Sequence, residues 1–327
     1  MTLPLPLHLI PLPTPFPVGP VNVYLAEGEP LTLIDTGPRD PATLAALEAG
    51  LREHGCRVED LRRIVLTHLH VDHFGLCGDL VARSGAEVLT HAFNLPWLPD
   101  YAAERERHRE FYRRIWVEGG VPEEMIQAIE HSGATFARWL SPVQNAQALN
   151  EGDTLTLAGA EWRVYHTPGH AGGLICLWEA GSRTLLANDH LIRDISSNPI
   201  LEPSPLINGP RPKRLVEYIH HMQRMAALGP LVALPGHGPV VDDVPGLVRQ
   251  RLAFHQRRAR KILDSLAQPK TLWELTQPIF PQLKRPLDYV LGLSEILGHL
   301  DLLEEDGSAK PVREGEVIRW TGLYSTP

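Results

Sequence analysis

The stretch Arg63-Ile64-Val65-Leu66-Thr67-His68-Leu69-His70-Val71-Asp72-His73 joins a short apolar run to three imidazoles and a carboxylate. The apolar part reads as a buried strand. Imidazole and carboxylate groups together suit zinc, iron or manganese. Four such groups leaving one strand end converge only where something offsets their crowding, and a metal does that. His68 and His70 alternate with Leu69 and Val71, so both can face the same way before the chain turns. One local segment cannot hold two metals, so further ligands must come from elsewhere in the chain.

Around this segment the β-prone runs Val21–Ala26 and Leu31–Asp35 precede a helix over 40–54, with Asp40 and Pro41 at its start and Gly55 at its end. A helix near 78–84 and a strand at 87–91 follow. This βαβ alternation predicts an α/β layered domain. Residues 95–148 break the rhythm with a charged, helical pattern carrying Trp97, Tyr101, Tyr112 and Trp116, either a lid or a packed surface element. Strands resume at 154–157, 161–166, 174–178, 184–187 and 231–235, with a helix over 212–228 between the last two.

Composition narrows the class. The chain has 327 residues, 43% apolar and 21% charged, as in a soluble globular protein. Its net charge of −8 argues against wholesale attraction to nucleic acid or membrane. No apolar run reaches the roughly 18 residues that a membrane span needs. The proline-broken start, Met1 to His8, lacks the basic region of a signal peptide, so the expectation is cytoplasmic. Cys56, Cys77 and Cys176 are scattered without a CxxC pair, which leaves a His/Asp metal rather than a thiolate site.

Three later strand ends supply the missing groups: His166-Thr167-Pro168-Gly169-His170, Asn188-Asp189-His190 and Pro235-Gly236-His237-Gly238. Open α/β sheets gather their sites at such ends. An earlier one gives Asp35-Thr36-Gly37. In order and spacing these pieces, with Thr67 to Gly75, resemble the metallo-β-lactamase superfamily over roughly residues 5–245. That resemblance implies an αββα metallo-β-lactamase sandwich with two divalent metal ions at its edge, zinc above all, with iron or manganese as alternatives. It implies one metal on His68, His70 and His170, the other on Asp72, His73 and His237, and Asp189 bridging them. Asp35 would stand behind the ligands and orient an imidazole. Two ions about 3.5–4 Å apart would hold a bridging hydroxide for attack on carbonyl or phosphorus, with Asp72 as its general base. The chain departs from the family at Asn188 and Leu76, where glycine is frequent, and at Ala171, where threonine is. His166 and His190 match no ligand position. His8, His54, His131, His220, His221, His255 and His299 read as ordinary surface or core residues, and Ser196-Ser197-Asn198 as loop filling or the pocket mouth.

The expected division is a catalytic domain at 1–245, with its insertion at 95–148, and a small winged-helix domain at 246–327. The tail's pattern is helices over 247–266, 271–276 and 288–305, then a hairpin. A lactamase-like fold with such a tail resembles the β-lactamase-like protein 2 branch, which includes acyl-thioester hydrolases and single-strand ribonucleases. Six cations and no acid lie between Arg249 and Lys261, yet 249–327 carries 12 basic against 10 acidic residues. The helix 288–305 has Asp288, Glu295, Asp301, Glu304 and Glu305 and no Lys or Arg, which repels phosphates. The favoured reading is therefore a dinuclear hydrolase of a small acyl substrate (thioester, ester or lactone). The alternative is a phosphodiesterase or ribonuclease on single-stranded RNA, with the tail as binding module. A non-enzymatic DNA binder and a mononuclear iron dioxygenase acting on persulfides are further classes. No membrane partner is expected, and a homo-oligomer is compatible with the tail as a dimerisation module.

Overall fold

A computed structural model describes residues 5–206 and 209–323. Residues 1–4 and 324–327, the outermost parts of the two expected domains and the start of the segment read for a signal peptide, lie outside it. The first sheet comprises β1 (Leu7–Leu12), β2 (Val21–Ala26), β3 (Thr32–Ile34), β4 (Arg63–Leu66), β5 (Glu87–His91) and β6 (Ala146–Leu149), in that spatial order. Strands β7 (Thr154–Leu157), β8 (Ala160–His166), β9 (Ile175–Glu179), β10 (Thr184–Asn188) and β11 (Val232–Pro235) form the second, in the order β11-β10-β9-β8-β7.

Alternation explains why both faces of each sheet are apolar. Val65 of β4 joins Tyr24, Trp162, Leu177 and Leu186 in the core between the sheets. Its neighbours Ile64 and Leu66 point the other way, into the cluster under α1 (Pro41–Glu53), α2 (Val71–Phe74) and α3 (Cys77–Ser84). Leu185 and Ala187 of β10 likewise face a helix layer rather than the other sheet. The αββα sandwich is thus present. Asp40 caps α1 as expected, its Oδ1 accepting from Ala42 N at 2.9 Å.

The insertion holds α4 (Tyr101–Arg107), α5 (Arg109–Glu118) and α6 (Glu123–Ala134). Its end differs from the helical expectation: β6 lies in it, paired parallel with β5, Val88 opposite Ala146. A four-residue run at a sheet edge is too short for its period to show against the helices before it.

On the outer face of the second sheet lies α7 (Arg214–Ala227), with Tyr218, Met222 and Met225 buried. Then come α8 (Val244–Asp264), α9 (Leu272–Ile279), α10 (Pro286–Glu305) and the hairpin β12 (Ala309–Glu314)–β13 (Val317–Gly322). Thr271 and Glu274 form the expected capping box on α9. Three helices and a hairpin occur in the expected order. Their core, however, is shared with the insertion: Ile115, Trp116, Ile126 and Ile129 pack with Ile262, Leu275, Ile296 and Leu300. Trp116 is therefore a core residue, not a substrate contact. Among the described residues, no helix is long and apolar enough to cross a membrane.

Helix α10 is buried from Gly292 to Asp301. Its Glu295 pairs with Arg258 of α8 at 3.1 Å, yet burial pushes its carboxyl up to about 7. The folded state then holds this proton more tightly than the unfolded chain, whose ordinary value is 4.5. Stability from this group is present below that value and falls as pH rises towards 7. Glu295→Gln is expected to remove that decline, a change of about 2–3 kcal/mol. Thermal unfolding at pH 5 and pH 8 checks it: the variant's midpoints should lie closer together than those of the wild type.

Candidate metal centre

Every site residue leaves the C-terminal end of a strand, because that is where each backbone stops pairing and turns outward. His68 follows β4, His70 caps α2, and Asp72 and His73 occupy the first turn of α2. His170 follows β8, Asp189 follows β10 and His237 follows β11. Tyr218 Cα of α7 stands 2.5 Å from where a Cβ on Gly169 would lie, so only glycine lets the His170 loop pass that helix.

All seven residues expected as ligands come together. His68, His70 and His170 form one group whose ligand atoms lie within 4.8 Å of one another, and Asp72, His73 and His237 form a second. Asp189 stands between them. Its Oδ2 is 3.4 Å from His170 Nε2, 3.5 Å from His73 Nε2, 3.6 Å from His237 Nε2 and 4.0 Å from His68 Nε2. Asp72 Oδ2 lies 3.3 Å from His237 Nε2.

The outer ring nitrogens of His68, His73, His170 and His237 are engaged. His73 Nδ1 donates to Asp35 Oδ2 at 2.9 Å, His170 Nδ1 to Asn198 O at 2.9 Å and His237 Nδ1 to Pro20 O at 2.8 Å. Thr67 Oγ1 donates to Asp35 Oδ2 and so can accept from His68 Nδ1 at 3.2 Å. These partners hold the outer nitrogens and turn four Nε2 atoms inward. Two inward pairs then face each other at contact distance: His68 Nε2 with His70 Nδ1 at 3.1 Å, and His73 Nε2 with His237 Nε2 at 3.3 Å.

Electrostatics adds to this. Burial holds His68 well below the usual histidine range, and His73 and His70 push it the same way. Burial, chiefly, takes His70 down to about 3. Burial also acts on His73, but Asp189 and Asp72 outweigh it and raise that imidazole well above its ordinary value. Asp72 moves down to about 2 because His73 and His237 overcome its burial. The site thus holds ionised carboxylates and neutral imidazoles at His68 and His70, while the proton that Asp189 and Asp72 favour on His73 has to leave when a metal binds. His170 Nε2 and Asp189 Oδ1 are buried without a hydrogen-bond partner, and a Cβ on Gly236 would fall 2.1 Å from that same Oδ1. Orphaned ligand atoms, crowded ring nitrogens and a glycine-lined cradle all fit divalent metal ions.

Ligand atoms of Asp35, His68 and His73 also lie within 4.8 Å of one another. Its oxygens are already taken, by Thr67 N and Thr67 Oγ1 at 2.8 Å, His73 Nδ1 at 2.9 Å and Asn188 Nδ2 at 2.6 Å. It orients ligands and does not join them. Asn188 is in the left-handed region at φ 46°, which accounts for a glycine being usual there. Its side chain contributes further, because Oδ1 accepts from Asp189 N at 2.9 Å.

Sequence reasoning did not find Pro20 and read Asn198 only as loop filling or the pocket mouth, because both act through backbone carbonyls that any residue carries. The loop 192–198 is nevertheless built into the site. Ser197 Oγ donates to Asp189 O, Asn198 Nδ2 donates to Leu291 O at 2.9 Å, and Arg251 Nη2 lies within 3.0 Å of the carbonyls of Ile192, Arg193 and Ile195. His166 bonds Gly172 O at 2.7 Å and stacks on His91, while His190 packs edge-on to Tyr218, so both stand outside the two groups.

The model of the metallo-beta-lactamase superfamily matches residues 16–237. The chain is 34% identical over 311 residues to a probable metallo-hydrolase, YqjP, of Bacillus subtilis (strain 168), covering 94% of this chain and 95% of that one. The crystal structure of a metallo-beta-lactamase family protein from Thermus thermophilus matches with a TM-score of 0.82 and 32% identity, over 98% of this chain and 99% of that one. An atrochrysone carboxyl ACP thioesterase of Aspergillus fumigatus is 26% identical over 148 residues, 45% of this chain and 43% of its own. With the family model matching residues 16–237 and the Bacillus protein alike almost end to end, the chain belongs to the metallo-beta-lactamase superfamily.

Proposed function

We propose that this metal-dependent hydrolase uses two divalent ions to cleave small acyl substrates: thioesters, esters or lactones. His68, His70 and His170 would hold one ion and Asp72, His73 and His237 the other, with Asp189 between them; zinc suits these ligands best. When bound, such a pair supplies an activated water near neutral pH and polarises the scissile carbonyl. The position of Asp189 Oδ2, within 4.0 Å of an imidazole nitrogen from four histidines of both groups, carries the reading.

The chain's own groups orient and move protons. Asp35, Asn198 and Pro20 fix the imidazole rings, so the donor atoms need little reorganisation. The Asp72 side chain is 13% exposed against 6% for Asp189, and is the carboxylate placed to take a proton from the attacking water and return it to the leaving group. The acyl reading is supported by the thioesterase relative and by the burial of α10, the acidic helix whose charges already repel phosphates. Exposed Arg249, Arg257, Arg260 and Lys261 on α8 favour RNA as the second reading.

A hydrolysis panel of thioesters, lactones and single-stranded RNA with zinc-reconstituted protein decides between them. Thioester or lactone turnover is expected to fall at least a thousandfold in His68→Ala and Asp189→Ala. Variants as fast as wild type would refute the site, and cleavage of RNA alone would refute the acyl substrate.

A further inference from the structure

We propose that His8, Glu27 and His54 form a second binding site, for one divalent transition-metal ion, at the opposite end of the first sheet from the catalytic centre. The three come from different elements: His8 from edge strand β1, Glu27 from the residue after β2, and His54 from the C-cap of α1. Their ligand atoms lie within 4.8 Å of one another. Two imidazoles and one carboxylate are a zinc-type ligand set, equally suited to nickel or copper, with positions left for solvent.

The contacts among them favour an ion over a simple ion pair. Glu27 Oε1 is 2.7 Å from His8 Nε2, a nitrogen shielded from solvent, yet the two make no hydrogen bond of acceptable angle. The two atoms therefore converge without pointing at each other. The His54 ring lies over His8 at 3.8 Å between centroids and 25° between planes, and no side-chain hydrogen bond among the described residues holds it. Small ring rotations would bring both imidazoles onto one ion.

The backbone beneath is fixed. His8 pairs with Leu25 in the β1–β2 ladder, and Glu27 N donates to Pro6 O at 3.0 Å. Gly50 of α1 sits so close to Ile10 that a Cβ would meet its Cγ2 at 2.4 Å, which locks the helix against the strand. Thr32 stands opposite Arg63 at the start of β3 and β4, and Ala26 opposite Thr32, so this corner is at the far end of those strands from His68. An ion here would clip edge strand β1 to α1 independently of catalysis.

A third buried group, His255, Glu295 and His299, is close enough for a metal but is closed to one. Ser196 Oγ, His255, His299 and Glu295 O form a continuous hydrogen-bond chain, and Arg258 occupies the Glu295 carboxylate.

The test is equilibrium dialysis of full-length protein against buffered micromolar zinc, followed by metal counting. Wild type, His54→Asn and Glu27→Gln are compared, both substitutions being at partly exposed positions. Each variant is expected to hold one zinc fewer than wild type, its affinity for that ion at least tenfold weaker, with unchanged circular dichroism and hydrolysis. In wild type, added zinc should also raise the unfolding midpoint more than in either variant. His68→Ala should keep this ion, which separates the site from the catalytic one. Equal zinc content in wild type and both variants would overturn the proposal.

Discussion

Asp35→Asn is expected to cost the protein its metals while leaving the backbone in place. Asparagine keeps the volume of Asp35 and tolerates its left-handed backbone, φ 59°, so the substitution isolates the carboxylate. That carboxylate accepts from four donors: Thr67 N, Thr67 Oγ1, His73 Nδ1 and Asn188 Nδ2. The amide of asparagine offers one acceptor and turns an NH2 against the remaining donors. His73 then loses the partner that fixes its tautomer, and Asn188, which also bonds Asp189 N, loses its anchor. Loss of one such supporting group typically lowers metal affinity 10–100-fold. Here two ligands depend on it, so the upper end is expected. Asp35→Ala should also destabilise the metal-free fold by about 3–5 kcal/mol, because Asp35 is fully buried and its donors would be left unpaired. Zinc titration and thermal unfolding measure the two effects. Full zinc content in Asp35→Asn at micromolar zinc would show that the carboxylate does not support the site.

That dependence was legible in the sequence only in part. Strand β4 could be read because Ile64, Val65 and Leu66 are buried on both faces, which leaves an apolar run with no polar break. That seven residues come together could be read because each follows a strand end, and spacing along the chain there translates directly into position. Asp35 followed the same rule. The carbonyls of Pro20 and Asn198 could not be read, since no side chain marks them. The tail was legible as elements but not as packing. Periodicity shows that α5 and α6 have apolar faces, not that those faces meet α9 and α10. Helix α10 is the sharpest case, because its buried polar groups look like solvated ones until their partners are known: Ser294 Oγ accepts from Leu201 N, and Asp301 takes Arg211. The basic run 249–261 has the same character. Arg251 and Arg258 are drawn inward by loop carbonyls and by Glu295, so a third of that charge is engaged within the fold.

Arg251 is the point at which the tail acts on the metals, and Arg251→Met should reveal it. The guanidinium is buried, and its Nη2 lies 3.0, 2.7 and 2.9 Å from the carbonyls of Ile192, Arg193 and Ile195. Those residues lead to Ser197, bonded to Asp189 O, and to Asn198, whose carbonyl takes the His170 Nδ1 proton. Methionine fills similar space but cannot donate, so three loop carbonyls lose their shared partner. Charged hydrogen bonds of this kind contribute about 1.5–3 kcal/mol each, and losing several that share one nitrogen should cost about 3 kcal/mol in all. A loosened loop would also free the His170 ring, weakening the ion on His68, His70 and His170 about tenfold while leaving the Asp72, His73 and His237 group closer to wild type. The expected signature is a two-step zinc titration in place of a single steep one, with a lowered unfolding midpoint. Arg251→Lys should restore part of both, since an ammonium can still reach one or two of the carbonyls. A variant whose only defect is weaker RNA binding, with zinc binding and midpoint unchanged, would show instead that Arg251 serves the surface of α8 and not the site.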